Sequence, residues 1–236
     1  STCGESITMR LLDKSSSLIK LKNVGLAEHD YNNFKELLSK PNGIILITGP
    51  TGSGKTTTLY AAINEINPKE NKIITVEDPI EYDLGGINQC EVKEKAGLTF
   101  PKILRSILRQ DPNVIVVGEI RDIETAEIAV STSLTGHLVL STLHTNDAPS
   151  AITRLTEMGI KPFLISASVN GILAQRLVRV MCQSCKVPQK EIKDSLSDLR
   201  LNIKDSEDIE FFHGQGCNYC NNTGYFGRMG IFEFMS

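Results

Sequence analysis

The chain contains no tryptophan, and only 6% of its 236 residues are aromatic. Its 25 basic and 28 acidic residues leave a net charge of −3, so it lacks the excess of positive charge that is typical of nucleic-acid-binding proteins. Apolar runs such as 44–47 and 114–117 are far shorter than the roughly 20 residues that a membrane-spanning helix needs. Because the sequence shows no signal peptide either, we expect a cytosolic protein.

The composition indicates how large a core the chain can bury, and the two termini bear on whether it is a fragment. At 40% hydrophobic residues, the chain can bury one substantial core and a small accessory module. It starts at Ser1 rather than methionine and ends inside the apolar run 230–235. We therefore expect a fragment of a longer protein.

Residues 49–56 form a complete phosphate-binding motif, G-x-x-x-x-G-K-S/T. A β-branched apolar run, 43–48, precedes it and predicts a buried strand, while Leu59, Ile63 and Ile66 follow at helical spacing. In such a loop, backbone N–H groups and the helix N-terminus face the phosphates, Lys55 reaches the β and γ oxygens, and Thr56 holds Mg²⁺. We therefore predict nucleoside triphosphate binding by Gly49, Pro50, Thr51, Gly52, Ser53, Gly54, Lys55, Thr56 and Thr57.

Predicted strands and helices alternate on both sides of this motif. We predict further strands at 72–77, 114–117 and 138–142, and helices at 30–39, 103–108, 123–134 and 148–158. This alternation indicates an α/β fold, a parallel sheet flanked by helices on both faces. Together with the phosphate-binding motif, it predicts a fold of the P-loop NTPase (RecA-like) type. Nucleotide is then expected at the carboxyl ends of the strands.

Three regions are predicted along the chain. Residues 1–22 read as the remnant of a preceding domain, with a strand at 5–12 and a linker at 14–22, and residues 23–175 form the ATPase core. From residue 176 onward, cysteines, glycines and charged residues replace the alternation, which predicts a small metal-binding module and the start of a C-terminal region over 176–236.

Two glutamates end predicted core strands. Glu119 follows strand 114–117, where phosphate-loop enzymes place a carboxylate that orients Mg²⁺ or the attacking water. The residue before it, usually aspartate, is Gly118, so Mg²⁺ must be held by Thr56 and waters or by another carboxylate, such as Glu77. We expect Glu119 to orient water and Glu77 to lie in the Mg²⁺ shell, although the two roles could be exchanged. The neighbouring aspartates, at 78 and 122, could instead cap helices.

Two of the four histidines, His137 and His144, bracket the predicted strand 138–142. Their separation of seven residues would put them on opposite faces of a continuous strand, so one must leave the sheet plane. We expect His144 to lie in the loop beside a γ-phosphate as a sensor; for His137 a catalytic role and an ordinary polar role stay open.

Four cysteines form two C-x-x-C pairs, Cys182 with Cys185 and Cys217 with Cys220, separated by 31 residues. Two such pairs make a tetrahedral S₄ site suited to Zn²⁺. Two disulfides or a redox pair are the alternatives, the first of them disfavoured in a reducing cytosol. The segment between the pairs is net acidic, which favours a protein-contacting module over a reader of DNA. Cys3 and Cys90 have no partners at ligand spacing and are expected to be ordinary thiols.

Five motifs in order give the sequence a resemblance to a known family. GPTGSGKT at 49–56, ITVEDPIEY at 74–82, LRQDP at 108–112, VGEIRD at 117–122 and LTGHLVLSTLHTN at 134–146 resemble the type II secretion and type IV pilus assembly ATPases of bacteria. The resemblance implies a homohexameric ring, at the cytoplasmic side of the inner membrane, that contacts the membrane only through partners. Hydrolysis of ATP would turn an inner-membrane platform protein and so assemble a pilus or pseudopilus. Members that assemble rather than retract carry a four-cysteine module.

The same resemblance implies four arginines that approach the phosphates, namely Arg10, Arg105, Arg109 and Arg121. A guanidinium that arrives late in the cycle stabilises charge on the transferring phosphoryl group. For Arg105 and Arg109, pairing with surface carboxylates is the alternative. The rival functions are a nucleic-acid-dependent ATPase of the DNA-uptake or conjugation type, against which the acidic charge argues, and a nucleotide-regulated scaffold that does not hydrolyse ATP, against which the intact Lys55 and Glu119 argue.

Overall fold

The computed structural model describes residues 4, 5, 7, 19–189 and 210–236. Its six helices are α1 (Glu28–Leu38), α2 (Lys55–Glu65), α3 (Phe100–Ile107), α4 (Ile123–Leu134), α5 (Ala148–Glu157) and α6 (Pro162–Ser168). Its nine strands are β1 (Gly43–Thr48), β2 (Ile73–Glu77), β3 (Asn88–Glu91), β4 (Val114–Val117), β5 (Leu138–Leu143), β6 (Val169–Met181), β7 (Lys186–Gln189), β8 (Phe211–Gly214) and β9 (Tyr225–Met235). These counts refer to the described residues alone.

The alternation predicted between residues 30 and 158 is confirmed, with bounds that differ by a few residues. Helix α3 starts three residues earlier than predicted, since Thr99 precedes the first turn and Pro101 occupies it. The prediction missed helix α6 and strands β3, β6, β7, β8 and β9. Strands β6 and β9 were missed because they begin or lie where polar and glycine residues interrupt the apolar pattern.

Seven strands form one sheet in the order β3-β2-β4-β5-β1-β6-β9. Strand β1 pairs in parallel with β5, with Gly43 opposite Leu138 and Thr48 opposite Leu143, and it also pairs in parallel with β6. Strand β4 pairs in parallel with β2 and β5. The residues that follow β1, β2, β4 and β5 therefore meet at one edge of the sheet, the carboxyl edge.

Both faces of the sheet are covered, which confirms the predicted α/β layering. One hydrophobic cluster joins Ile44 and Leu46 of β1 to helices α3, α4, α5 and α6. The other joins Ile45 and Ile47 of the same strand to α1 and α2. Since successive side chains of a strand point to opposite faces, a continuous β-branched run feeds both clusters at once.

The chain divides into two compact units. Unit 1 runs from Ser1 to Arg176 and includes Gly230–Ser236, and unit 2 is Leu177–Met229. The predicted boundaries, 1–22, 23–175 and 176–236, stay predictions. Most of the predicted strand 5–12 and linker 14–22 lies outside the described residues, although residues Leu21–Asn23 form a one-turn helix with Leu21 buried. Among the described residues, no helix combines the length and the apolar character needed to cross a membrane.

Candidate functional site

The phosphate-binding motif forms the turn between β1 and α2, at the carboxyl edge of the sheet. Gly54 caps α2 with a φ of 85°, and Gly49 has a φ of 151°. A Cβ on Gly49 would come within 2.3 Å of the backbone oxygen of Gln175, so the loop packs too tightly against β6 for any side chain there. Inside the loop, the buried hydroxyl of Ser53 has no hydrogen-bond partner among the described residues. Such an orphaned polar group fits a loop that receives a polar ligand.

Lys55 begins α2 and is buried, with 8% of its surface exposed. Its Nζ donates to the carbonyl oxygens of Gly49 at 2.8 Å and Pro50 at 3.0 Å. Burial lowers the pKa of Lys55, and the negative charge of Glu119 acts in the opposite direction. The amino group of Lys55 therefore lies inside the turn and stabilises the loop through these two hydrogen bonds.

The hydroxyls predicted to face magnesium and phosphate lie in the first turn of α2. Thr56 is exposed and Thr57 is half-buried. Thr58 is fully buried and donates to the side chain of Gln175 at 2.7 Å. Sequence reasoning missed Gln175; the signal was a polar residue that directly follows the apolar run 172–174. Thr56 offers an exposed hydroxyl at the start of the helix, which is compatible with a hydrated Mg²⁺ ion.

Glu119 follows β4 and joins the phosphate loop through a histidine. His144, one residue past β5, lies with Nε2 3.2 Å from Glu119 Oε2 and Nδ1 3.5 Å from Lys55 Nζ. His144 and Lys55 are 89 residues apart in sequence. Parallel strands deliver both to the carboxyl edge, as the predicted exit of His144 from the sheet required. The structure therefore brings three of the predicted site residues into one chain of contacts.

Arg121 forms an ion pair with Glu119, and it lies 3.6 Å from a carboxylate oxygen of Asp78. The hydrogen bond that Arg121 donates to Glu119 raises the pKa of Arg121 above its ordinary value. Asp122, the next residue, caps α4 by accepting from the backbone N–H of Thr125 at 2.8 Å. The capping alternative therefore holds for Asp122, whereas Asp78 pairs with an arginine.

Glu77 ends β2 and is 4% exposed. Its carboxylate accepts from the hydroxyl of Tyr60, from Thr75 Oγ1 at 2.5 Å and from Gln89 Nε2 at 3.0 Å. The expected place of Glu77 in the Mg²⁺ shell stays a prediction, since the three donors occupy most of the roughly four acceptor positions of the carboxylate. In the described arrangement the carboxylate faces protein donors.

Among the described residues, no hydrogen bond or ion pair joins His137, Arg105 or Arg109 to the phosphate loop. His137 precedes β5, at the opposite edge of the sheet, with Nδ1 3.2 Å from the carbonyl oxygen of Thr132. The six residues of β5, about 3.3 Å each, separate it from the carboxyl edge. Arg105 pairs with Glu124 at 2.7 Å, and Arg109 is exposed. Arg10 lies outside the described residues.

A second cluster lies within unit 2. The sulfur atoms of Cys182, Cys185, Cys217 and Cys220 all lie within 4.8 Å of one another. The contacts between Cys182 and Cys217 and between Cys185 and Cys220 are both 3.9 Å. Each pair spans a one-turn helix, Gln183–Cys185 or Asn218–Cys220. Four thiolates around a tetrahedral Zn²⁺ stand about 3.8 Å apart, so this donor set fits the ion.

Backbone N–H groups support the sulfur of Cys220. Burial alone would raise its pKa, but the backbone N–H groups of Cys217 at 3.2 Å and Gly224 at 3.3 Å donate to it and, together with hydrogen bonds from the thiols of Cys217 and Cys185, lower the pKa to about 6. Burial raises the pKa of Cys185 to about 12. The two cysteine turns also require glycine where the backbones of Gly214 and Gly224 approach, since a Cβ on Gly214 would lie 2.1 Å from the oxygen of Gly224.

The whole chain matches one protein family. Residues 1–236 match the family described as Type II/IV secretion system protein. The chain belongs to this family. The resemblance found in its motifs to secretion and pilus assembly ATPases is therefore confirmed.

The relatives of the chain include secretion and pilus assembly ATPases. Over 235 residues the chain is 53% identical to the Type II secretion system ATPase E of Vibrio cholerae, an alignment that covers 100% of this chain and 46% of that protein. It is 50% identical over 232 residues to the Type IV pilus assembly ATPase PilB of Thermus thermophilus, over 98% of this chain and 26% of that protein. The chain thus spans less than half the length of these relatives.

Solved structures of the family share the fold. A crystal structure of the pilus retraction motor PilT with bound ADP superposes with a TM-score of 0.65 at 41% identity, over 72% of this chain and 51% of that one. The Legionella pneumophila ATPase DotB gives a TM-score of 0.61 at 32% identity, over 68% of this chain and 47% of that one.

Proposed function

We propose that this chain is the catalytic part of an ATPase motor that powers assembly of a type II secretion pseudopilus or a type IV pilus. One observation carries the proposal. Lys55 of the phosphate loop and Glu119 at the end of β4 meet at one edge of the sheet, joined by His144. A phosphate-binding loop and a carboxylate within one contact chain are what phosphoryl transfer to water requires.

The phosphate loop binds the nucleotide. Residues 49–57 supply backbone N–H groups, and Lys55 supplies a positive charge for the β and γ oxygens. Bound through the Thr56 hydroxyl and water, Mg²⁺ would neutralise charge on the phosphates. Gln175 supports this turn from β6 through Thr58.

Glu119 orients the attacking water. Its carboxylate is held in place by Arg121 and His144. His144 connects the state of the loop to the state of Glu119, which is the sensing role expected of it. Arg121 is well placed to stabilise charge once it leaves Glu119. Arg105, Arg109 and Arg10 are proposed to approach the phosphates during the cycle, Arg10 when the preceding domain closes.

Assembly and location rest on the family. We propose a homohexamer on the cytoplasmic face of the bacterial inner membrane, which meets the membrane only through a platform protein and other assembly components. Zn²⁺ in the four-cysteine site would hold unit 2 in shape. The charge of the chain, 25 basic against 28 acidic residues, supports a partner other than nucleic acid.

Steady-state ATPase activity, measured with and without duplex DNA alongside the mass in solution, tests this function. We expect slow hydrolysis that rises as rings form and is indifferent to DNA. Strong stimulation by DNA would instead indicate a nucleic-acid translocase of the DNA-uptake or conjugation type. Nucleotide binding without any turnover, in rings as in monomers, would indicate a regulatory scaffold.

A further inference from the structure

Glu77 is a buried carboxylate that the proposed mechanism does not use. Its three donors come from three elements of unit 1: Tyr60 from α2, Thr75 from β2 itself and Gln89 from β3. All three donors are neutral, so the carboxylate relies on hydrogen bonds alone. The residue therefore ties the phosphate-loop helix to two neighbouring strands of the sheet. We call Tyr60, Thr75, Glu77 and Gln89 the Glu77 clamp.

The clamp also fixes the loop between β2 and β3. Gln89 Nε2 donates to the carbonyl oxygen of Tyr82 at 3.0 Å, and Gln89 Oε1 accepts from the backbone N–H of Leu84 at 2.7 Å. The ring of Tyr82 meets that of Tyr60 edge to face, with centroids 6.1 Å apart. Burial and the bond to Glu77 together raise the pKa of the Tyr60 hydroxyl, which stays a donor at neutral pH.

The same loop reaches the catalytic edge one residue past the clamp. Asp78 lies 3.6 Å from Arg121, which is paired with Glu119. The backbone closes against the clamp from the other side, since a Cβ on Gly118 would lie 3.3 Å from the Cα of Glu77. A side chain at 118, such as the usual aspartate, would crowd the backbone of Val76 and Glu77, so glycine lets the end of β4 lie close to the clamp.

We propose that Glu77 is a positioning residue. Through its hydrogen bonds with Tyr60, Thr75 and Gln89, it fixes the position of the phosphate-loop helix relative to the contacts that join Asp78, Arg121 and Glu119. This inference rests on the proposed ATPase function and deepens it. It differs from a magnesium role, because a positioning residue alters the rate of the chemical step and leaves the affinity for Mg²⁺ unchanged.

Tyr60→Phe isolates the clamp, because it removes one hydroxyl and keeps the buried ring against Tyr82. Tyr31→Phe is the matched control. Tyr31 is also largely buried, and its hydroxyl contacts Glu65 at the far end of α2 at 3.2 Å, where Lys35 also pairs with Glu65. Thr75→Val removes a second donor with nearly the same volume. Both test variants leave every proposed nucleotide contact in place.

The variants are compared by kcat and KM for ATP, and by the Mg²⁺ concentration that gives half-maximal activity. We expect Tyr60→Phe and Glu77→Gln each to lower kcat by roughly three- to tenfold, the scale of one ordinary hydrogen bond, with KM and the Mg²⁺ midpoint unchanged. Because they share one clamp, the double variant should be no slower than the slower single variant. Tyr31→Phe should match the parent chain.

Two results would overturn the inference. Normal kcat in both Tyr60→Phe and Thr75→Val would show that the clamp does not act on catalysis. A Mg²⁺ midpoint raised in Glu77→Gln and normal in Tyr60→Phe would show that Glu77 is a magnesium ligand. Amide hydrogen exchange of residues 78–87, expected to quicken in Tyr60→Phe and not in Tyr31→Phe, tests the clamp without turnover. A parent chain that lacks turnover would therefore count against the ATPase function and leave the clamp testable.

Discussion

The carboxyl edge of the sheet and the four-cysteine cluster are assembled in opposite ways. At the edge, Lys55 and His144 come from positions 89 residues apart and meet because parallel strands end together. In unit 2, each cysteine pair lies on its own single turn, and the pairs meet sulfur to sulfur at 3.9 Å. The edge is supported by two large hydrophobic clusters, whereas the buried hydrophobic residues described in unit 2 are Cys182 and Cys220 alone. The first site should keep its shape without ligand, and the second should depend on its ion.

The largest effect is expected from a mutation of Lys55, which should abolish the function of the edge and leave the cysteine cluster intact. Lys55→Ala removes the charge proposed to face the phosphates and two hydrogen bonds to loop carbonyls, so we expect ATPase activity to fall by roughly 100-fold or more. Zinc content should stay at one ion per chain. Lys69→Ala, at an exposed position four residues past α2, is the control and should keep its activity. Full turnover by Lys55→Ala would contradict the phosphate-loop assignment.

Glu119→Gln separates binding from hydrolysis at the same edge. The amide cannot take a proton from water, so kcat should fall about 100-fold while a fluorescent ATP analogue still binds. Glu127→Gln on the exposed face of α4 is a matched change of charge and should have little effect. Rapid hydrolysis by Glu119→Gln would move the water-orienting role to another carboxylate.

Cys182→Ser tests the four-cysteine cluster of unit 2. Loss of one thiolate should remove the ion, which in structural sites contributes on the order of 10 kcal/mol of binding energy, and unit 2 should become protease-sensitive. Nucleotide binding by unit 1 should persist. Cys90→Ser changes a half-buried free thiol that lies outside the cluster and should keep its zinc. Zinc content that is unchanged in Cys182→Ser would exclude the four-sulfur site.

The smallest effect is expected at Arg105. Both partners of its ion pair with Glu124 are more than half exposed, so the pair should contribute less than about 1 kcal/mol to stability. Arg105→Ala should leave the melting temperature nearly unchanged. A large loss of kcat in the assembled ring, with an unchanged melting temperature, would reveal an arginine that acts across subunits, and normal kcat would leave only the surface pair.

Local patterns were sufficient for much of the fold and for the ligand sets. The run 43–48 followed by a glycine loop and helical spacing predicted β1, the phosphate loop and α2, because each rule involves neighbours in sequence. The cysteine spacing predicted the cluster in the same way. Strand β6 was missed, since Asn170 and Gly171 interrupt its apolar pattern and only the pairing with β1 makes it a strand.

The sequence by itself determined which groups are available: a phosphate loop, two strand-end glutamates, a histidine past a strand and four thiols. Only the tertiary structure decided their surroundings. It put His144 between Lys55 and Glu119, left His137 at the other edge of the sheet, and enclosed Glu77 among Tyr60, Thr75 and Gln89. The physical reason is that a carboxylate's role depends on burial and on the donors around it, and those donors come from elements that only strand pairing brings together.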